Sequence, residues 1–136
     1  PNDAVIANSF NNKASTRLIS LDEGVPDGWL ILDIGPLTTE LFCSTLKKSK
    51  TIFWNGPMGV FEMENFSHGT FSIARSLASE TQNGSISIVG GGDSVSAINK
   101  AGLIEKITHV STGGGASLEF LEGRELPGVS AIQYSI

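Results

Sequence analysis

The sequence repeats one local arrangement three times: a β-branched or aromatic run, a glycine-rich turn and a helical pattern. The first copy begins with TIFWNGPMG at 51–59, and its helical pattern follows and ends at Asn83 and Gly84. The other two copies read ISIVGGGDSVSAINKAG at 86–102 and ITHVSTGGGASLEFLEG at 107–123. Short apolar runs that alternate with 3.6-residue periodicity are typical of βαβ units with parallel strands. The carboxyl ends of such strands meet at one edge of the sheet, so we expect all three turns at that edge.

The pattern predicts the boundaries of these elements. Strands are expected at 51–54, 86–89 and 107–111, with two further short strands in DAVIANSF and TRLIS around a polar turn. Four helices are expected. The first covers about 38–48 with Leu41, Phe42, Thr45 and Leu46 inward, and the second has Phe66, Ile73, Ala74, Leu77 and Ala78 on one face. The third covers about 93–102, and the fourth carries Leu118 and Leu121.

Composition excludes several classes of protein. The 136 residues are 40% hydrophobic and 17% charged, which indicates about one globular domain. A net charge of −5 argues against nucleic acid and anionic membrane surfaces as partners. The sequence has no apolar run of the roughly 18 residues that a membrane span needs. The single cysteine, Cys43, fits a reducing compartment.

The glycine turns are suited to holding phosphate. Glycine has no Cβ, so backbone N–H groups can approach an anion closely, and the helix that follows adds the positive end of its dipole. Few cations lie near the turns: Lys100, Lys106 and Arg124. Phosphate would therefore be held by N–H groups and a metal ion, and Asp93 is the candidate carboxylate for a nucleotide-bound Mg²⁺.

Other interpretations remain open from the residues alone. Asp93 could be a helix N-cap, the glycines could serve close packing of helix and strand, and Glu62 could be a solvated surface acid. The P-loop and dinucleotide fingerprints are both absent. The strand after GGGD ends in Ser111 and Thr112, where an NAD-binding protein would carry an acid for the ribose.

Several motifs together resemble the C-terminal half of phosphoglycerate kinases. They are WNGPMGVFE at 54–62, GGGDS at 90–94 and HVSTGGGASLEFLEGRELPGV at 109–129, supported by DGWLILDIGP at 27–36. The resemblance implies a Rossmann-like, three-layer α/β/α fold with a parallel sheet, in which residues 1–136 form a partial C-terminal nucleotide-binding domain. It implies a phosphotransferase that converts ATP and 3-phosphoglycerate to ADP and 1,3-bisphosphoglycerate with Mg²⁺.

The resemblance also implies roles for individual residues. Asn55, Pro57 and Val60 would line the nucleotide site, and Glu62 would bind the ribose hydroxyls. The remaining roles concern phosphate. Gly90, Gly91 and Gly92 would approach the phosphate groups, Ser94 would offer them its hydroxyl and N–H, and Asp93 would contact Mg²⁺. Gly92 and Gly115 would direct N–H groups at the transferring phosphoryl group.

The same resemblance implies what the chain lacks. The N-terminal phosphoglycerate-binding domain and part of the nucleotide-binding domain are expected outside these residues, so the isolated chain is expected to be inactive, with an unpaired parallel strand edge. The intact protein would be a cytoplasmic monomer, with the plastid as the alternative compartment. Two alternatives remain: another nucleotide- or sugar-phosphate-binding module, and a non-catalytic fragment that acts by association.

Overall fold

The computed structural model describes residues 1–133 of the chain. Within these residues lie six strands and five α-helices. After an initial hairpin, strands and helices alternate until the last two elements, which are both helices. In chain order, the elements are β1 Asp3–Ala7, β2 Thr16–Ser20, β3 Leu30–Ile34, α1 Pro36–Leu46, β4 Thr51–Asn55, α2 His68–Gln82, β5 Ile86–Gly90, α3 Gly92–Lys100, β6 His109–Ser111, α4 Gly114–Leu121 and α5 Pro127–Gln133. Among the described residues, no helix has the length and apolarity needed to cross a membrane.

The strands form two separate sheets. The first is antiparallel, in the order β2-β1-β3, and the second is parallel, in the order β4-β5-β6. In the second sheet β4 pairs with β5 along its whole length, and β5 pairs with β6 over its last three residues. The predicted α/β class with a parallel sheet is therefore confirmed. Within residues 1–133, β4 has a neighbour on one side only.

The main hydrophobic core lies between one face of the parallel sheet and helices α2 and α3. Residues at alternate strand positions point to this face, as the period of two requires. The buried members are Ile52, Trp54, Phe61, Ile73, Ala74, Leu77, Val89, Ala97, Ile98 and Ile107. Full burial of a Leu or Ile side chain contributes about 1.5–3 kcal/mol, so this layer fixes both helices against the strands.

The opposite face of the parallel sheet is only partly covered. Phe53 and Ile88 from the strands and Ala116 and Phe120 from α4 line an open cavity of about 500 Å³ there. Phe120 is 65% exposed, so α4 leaves much of its apolar surface in solvent. Helices thus lie on both faces of the sheet, but the layer formed by α2 and α3 is the better packed one.

The structure corrects several predicted boundaries. Helix α1 begins at Pro36 and ends at Leu46, because proline suits the first helical position, where no N–H is needed. Strand β6 begins at His109 and not at residue 107. At Thr108 side-chain hydroxyls replace the backbone ladder: Ser87 N donates to Thr108 Oγ1 at 3.1 Å and Thr108 N donates to Ser87 Oγ at 3.0 Å. Two elements were not predicted, β3 and α5.

The predicted inward face of α1 is wrong in part. Leu41 and Thr45 are exposed, while Phe42 and Leu46 are half-buried against the main core. The fully buried residue of α1 is Thr38, whose hydroxyl oxygen accepts N–H groups from Asn2 and Asp3 and donates to Asp3. This helix is therefore anchored to the start of β1 by polar contacts as well as by its apolar residues.

Asp3 completes that anchor. Its carboxylate accepts the N–H groups of Leu37 and Thr38 in the first turn of α1, at 3.0 and 2.7 Å. Burial opposes the charge, but hydrogen bonds from Thr38 and Leu37 outweigh it and lower the pKa of Asp3. A carboxylate at this position satisfies amides that the helix cannot pair and complements the positive end of its dipole.

Candidate functional site

The three glycine turns lie next to one another, as predicted. The register pairs Asn55, the last residue of β4, with Gly90, and pairs Gly90 with Ser111 at the end of β6. The strands are parallel, so their carboxyl ends and the following turns form one continuous edge. Helices α3 and α4 both begin at this edge.

One set of glycines in these turns serves close packing. A Cβ added to Gly114 would lie 2.8 Å from the Cα of Gly91, and one added to Gly91 would lie 2.6 Å from Oδ1 of Asn55. Gly91 has φ of +90°, a conformation that side chains disfavour, and its N–H donates to the carbonyl of Ser111 at 3.0 Å. Asn55 Nδ2 donates to the carbonyl of Gly114 at 3.3 Å. The packing interpretation is therefore correct for Gly91 and Gly114.

Gly90 belongs to the sheet. It is the buried last residue of β5, and a Cβ there would lie 3.0 Å from Cζ of Phe53. The predicted approach of Gly90 and Gly91 to phosphate stays a prediction, and the structure gives both residues a packing role in addition.

A second set of glycines faces open space. Nothing lies within 4 Å of a Cβ added to Gly92 or Gly115. The first helical hydrogen bond of α3 is donated by Val95, and that of α4 by Ser117. The earlier amides of each helix, those of Gly92 in α3 and Gly115 in α4 among them, have no intrahelical acceptor. Two helix N-termini with uncovered glycines thus lie at one sheet edge, an arrangement that can bind an anion.

Asp93 is the second residue of α3 and its side chain is exposed. The N-cap of this helix is Gly91, so the interpretation of Asp93 as N-cap is wrong. Among the described residues, no group of three or more His, Cys, Asp or Glu side chains could hold a metal ion. A single accessible carboxylate instead suits Mg²⁺ that arrives with phosphate oxygens and water as its other ligands.

Ser94 is fully buried, and its hydroxyl oxygen accepts the N–H of Gly56 at 2.7 Å. This bond ties the first turn of α3 to the loop after β4. The predicted contact of the Ser94 hydroxyl with phosphate stays a prediction. The N–H of Ser94 lies in the first turn, where amides have no intrahelical acceptor.

The loop after β4, residues 56–62, carries three of the predicted nucleotide contacts. Pro57 and Val60 are half-buried, and Glu62 is exposed. The loop is held mainly through its backbone. Trp54 Nε1 donates to the carbonyl of Gly56 at 2.7 Å, and Val60 N donates to a carbonyl of β3 at 2.9 Å.

Thr70 of α2 holds the middle of this loop, and the sequence did not single it out. Its buried hydroxyl oxygen accepts the N–H groups of both Met58 and Gly59, each at 3.1 Å. Since both amides use one hydroxyl, the loop has a fixed position relative to the start of α2.

Asp33 of β3 is a second residue that the sequence did not single out. It is 1% exposed, and its carboxylate accepts the N–H of Gly69 at 2.8 Å and that of Ile34 at 2.9 Å. Gly59 and Gly69 both pack directly on this carboxylate, so neither position has room for a side chain. Burial raises the pKa of Asp33, although the hydrogen bonds from Gly69 and Ile34 and the charge of His68 oppose the shift.

The cations near the site do not converge on the phosphate turns. Arg124 pairs with Glu122 at 2.8 Å. Lys100, at the far end of α3, donates to the carbonyls of Phe61 and Glu62 at 3.2 and 3.5 Å. That backbone amides and a metal ion hold phosphate at the turns stays a prediction, and these cations are not placed to replace them.

A parallel sheet with glycine turns and two helix N-termini at its carboxyl edge defines the class of α/β proteins that hold anionic ligands beyond the strand ends. The model of the phosphoglycerate kinase family matches residues 1–124. The chain therefore belongs to the phosphoglycerate kinase family.

Individual relatives agree with this assignment. The phosphoglycerate kinase of Leuconostoc mesenteroides is 52% identical over 132 residues, which are 97% of this chain and 33% of that protein. The phosphoglycerate kinase of Thermosipho africanus is 55% identical over 132 residues, again 97% of this chain and 33% of the relative. The chain thus spans about a third of the length of these curated relatives.

Solved structures agree with the fold. The phosphoglycerate kinase of Coxiella burnetii superposes with a TM-score of 0.85 at 41% identity, over 96% of this chain and 33% of that one. The phosphoglycerate kinase of Pyrococcus horikoshii superposes with a TM-score of 0.77 at 38% identity, over 98% of this chain and 32% of that one.

Proposed function

We propose that this chain supplies the nucleotide-binding elements of a phosphoglycerate kinase, which transfers a phosphoryl group between ATP and 3-phosphoglycerate. The observation that carries the proposal is the pair of uncovered glycines, Gly92 and Gly115, at two helix N-termini on one sheet edge. The relatives are about three times as long, so the complete reaction is assigned to a chain that includes the other two thirds.

The nucleoside part of ADP or ATP would lie along the loop after β4. We infer that Asn55, Pro57 and Val60 line this part of the site and that the exposed carboxylate of Glu62 accepts hydrogen bonds from the ribose hydroxyls. The support is geometric: the loop begins at the edge that carries the phosphate turns, and its backbone is fixed at several points. A loop that is already ordered loses little entropy when it binds a ligand.

The polyphosphate would lie over the start of α3. The backbone of Gly90 and Gly91 would approach it closely, and the first-turn amides of Gly92 and Ser94 would face its oxygens. Asp93 would lie toward the Mg²⁺ that the nucleotide brings. Gly92 and Gly115 would direct N–H groups at the transferring phosphoryl group, whose charge spreads over its equatorial oxygens. Phosphoryl transfer between two bound substrates depends on positioning and charge stabilisation, so no covalent nucleophile is required.

The wider assignments follow the family. Residues 1–136 would form part of the C-terminal domain, and phosphoglycerate would bind to a separate N-terminal domain. Partners would be ADP or ATP and the phosphoglycerates, with neither nucleic acid nor membrane, in a monomeric protein of the cytoplasm or, alternatively, a plastid. A diverged interaction module is not favoured, because relatives more than 50% identical are named phosphoglycerate kinases.

Asp93→Asn tests the phosphate assignment. The experiment uses a chimera in which this chain replaces the matching third of the Leuconostoc mesenteroides relative. Loss of the negative charge on this metal ligand is expected to raise the KM for Mg-ADP by about tenfold or more, with little change in the KM for 1,3-bisphosphoglycerate. Glu105→Gln, which neutralises another exposed acid away from the turns, is the matched control. Equal changes in both KM values would contradict the assignment.

A further inference from the structure

Helix α3 holds the loop after β4 at both ends of the helix. At its start, Ser94 accepts the N–H of Gly56. At its end, the ammonium of Lys100 donates to the carbonyls of Phe61 and Glu62, at 3.2 and 3.5 Å. The two contacts are six residues apart on the helix, a rise of about 9 Å. They bracket the loop, so its first and last residues are positioned by one rigid element.

The position of the Lys100 ammonium is further fixed by two aromatic rings. Its Nζ lies 5.8 Å from the ring centroid of Phe61 and 5.9 Å from that of Phe71. The two rings pack edge to face, with centroids 6.4 Å apart and planes at 75°. A cation within about 6 Å of a ring centroid is attracted to the ring face. Lys100 is exposed as a whole, but its ammonium lies against both rings and both carbonyls.

Lys100 contacts Glu62 through the backbone and leaves its carboxylate unpaired. Within residues 1–133, the one ion pair between side chains joins Arg124 and Glu122, so no carboxylate neutralises Lys100. The Glu62 side chain is exposed and long, and its reach depends on where its own backbone is fixed. A cation that fixes the Glu62 carbonyl therefore fixes the origin of that side chain without competing for its carboxylate.

We propose that Lys100 is a positioning residue for ribose recognition. It acts by holding the backbone of Phe61 and Glu62 in place. This inference rests on the proposed function, because it takes Glu62 as the group that accepts the ribose hydroxyls. Lys100 itself does not touch the nucleotide. Its removal is expected to weaken selection of the ribose and to leave the phosphate turns at the start of α3 unchanged.

The test uses the chimera with Lys100→Met, which keeps an apolar stem against the rings and removes the charge and the donors. The KM for Mg-ADP is expected to rise about threefold to tenfold, with kcat at saturating nucleotide changed by less than about twofold. Lys100→Arg keeps a cation that can reach carbonyls and is expected to restore most of the affinity. If Lys100→Met unfolds, Lys100→Gln, which keeps one donor, is compared with Lys100→Arg in the same way.

A double-mutant cycle with Glu62→Ala, which removes the acceptor, distinguishes a positioning role of Lys100 from a general structural role. If Lys100 acts through Glu62, then Lys100→Met adds less than about twofold to the KM of the Glu62→Ala chimera, which has no acceptor to be positioned. Discrimination between ADP and 2′,3′-dideoxy-ADP is expected to fall in each single variant. Independent effects of the two substitutions, or unchanged discrimination in Lys100→Met, would overturn the inference.

The outcomes also distinguish this inference from the proposed function. If the unsubstituted chimera does not use Mg-ADP, the proposed function fails. If it does, and Asp93→Asn raises the KM while Glu62→Ala leaves the discrimination unchanged, the kinase assignment stands and the role of Lys100 in ribose selection fails.

Discussion

Alanine substitutions at the two neighbouring glycines at the start of α4, Gly114 and Gly115, should affect stability and catalysis differently. Gly114 packs on the turn before α3, whereas Gly115 faces open space. Neither residue has a positive φ, so alanine is compatible with the backbone at both positions. Gly114→Ala and Gly115→Ala therefore differ mainly in what the added methyl group meets.

In Gly114→Ala the methyl carbon would lie 2.8 Å from the Cα of Gly91 and 3.1 Å from Oδ1 of Asn55. Carbon atoms in contact are normally about 3.5–4.0 Å apart, so the two turns must separate by about 0.7 Å or more. Gly91 is held by its hydrogen bond to the carbonyl of Ser111, and the Asn55 side chain by its hydrogen bond to the carbonyl of Gly114. Overpacking of this kind costs about 1–3 kcal/mol of unfolding free energy. We expect a loss of stability in that range together with a loss of activity.

In Gly115→Ala the methyl group meets no protein atom, and alanine is the better helix former by up to about 1 kcal/mol. Stability should therefore stay the same or rise slightly. The methyl group would occupy the space assigned to the transferring phosphoryl group, so kcat should fall by about tenfold or more. Urea unfolding and steady-state kinetics of both chimeras measure the two effects.

Two results would refute this reasoning. Unchanged stability in Gly114→Ala would show that the two turns are not in close contact. Normal kcat in Gly115→Ala would show that the phosphoryl group does not approach this turn.

Two further predictions concern the residues that hold the loop and α1. Thr70→Val keeps the shape but removes the acceptor for Met58 and Gly59, so it should cost about 2 kcal/mol of unfolding free energy, while Thr70→Ser should cost less than half of that. Equal losses in the two variants, measured by urea unfolding, would contradict the hydrogen-bond role. Because the pKa of Asp3 is lowered on folding, its carboxylate stabilises the fold above the unfolded pKa near 3.8, and this contribution is lost as the pH falls through the lower folded value. Below about pH 4, the unfolding free energy of the unsubstituted protein should therefore fall more steeply with pH than that of Asp3→Asn. Parallel pH profiles of the two proteins would contradict the lowered pKa of Asp3.

The sequence predicted the parallel sheet because its signals are local. Each of the three units contains its own apolar strand, glycine turn and amphipathic helix in one continuous segment, 51–82, 86–102 or 107–123. Strand β3 was missed because LILDI has a charged residue in its interior and follows glycine and aspartate. Its place in the sheet depends on pairing with β1, about 25 residues earlier in the chain.

The site was predicted in outline for a similar reason. Turn composition and family motifs indicated which residues lie at the sheet edge, and the register places Asn55 and Gly90 side by side there. Turn composition and family motifs could not indicate which glycines have no room for a side chain. The contact between Gly91 and Gly114 joins two turns that are far apart in the sequence. The sequence could not indicate the role of Thr70 either. Its hydroxyl accepts backbone N–H groups, which every residue except proline has, so no residue type in the loop points to the contact.

The buried carboxylate of Asp33 has a consequence for how the chain unfolds. It belongs to the antiparallel sheet, yet it accepts an amide of α2, the helix that covers the parallel sheet. Separating the two sheets would break this hydrogen bond and the packing of Gly59 and Gly69 on the carboxylate, so the two sheets support each other. Heat or denaturant should thus unfold both sheets in a single cooperative step. A destabilising substitution in either sheet should lower the stability of the other.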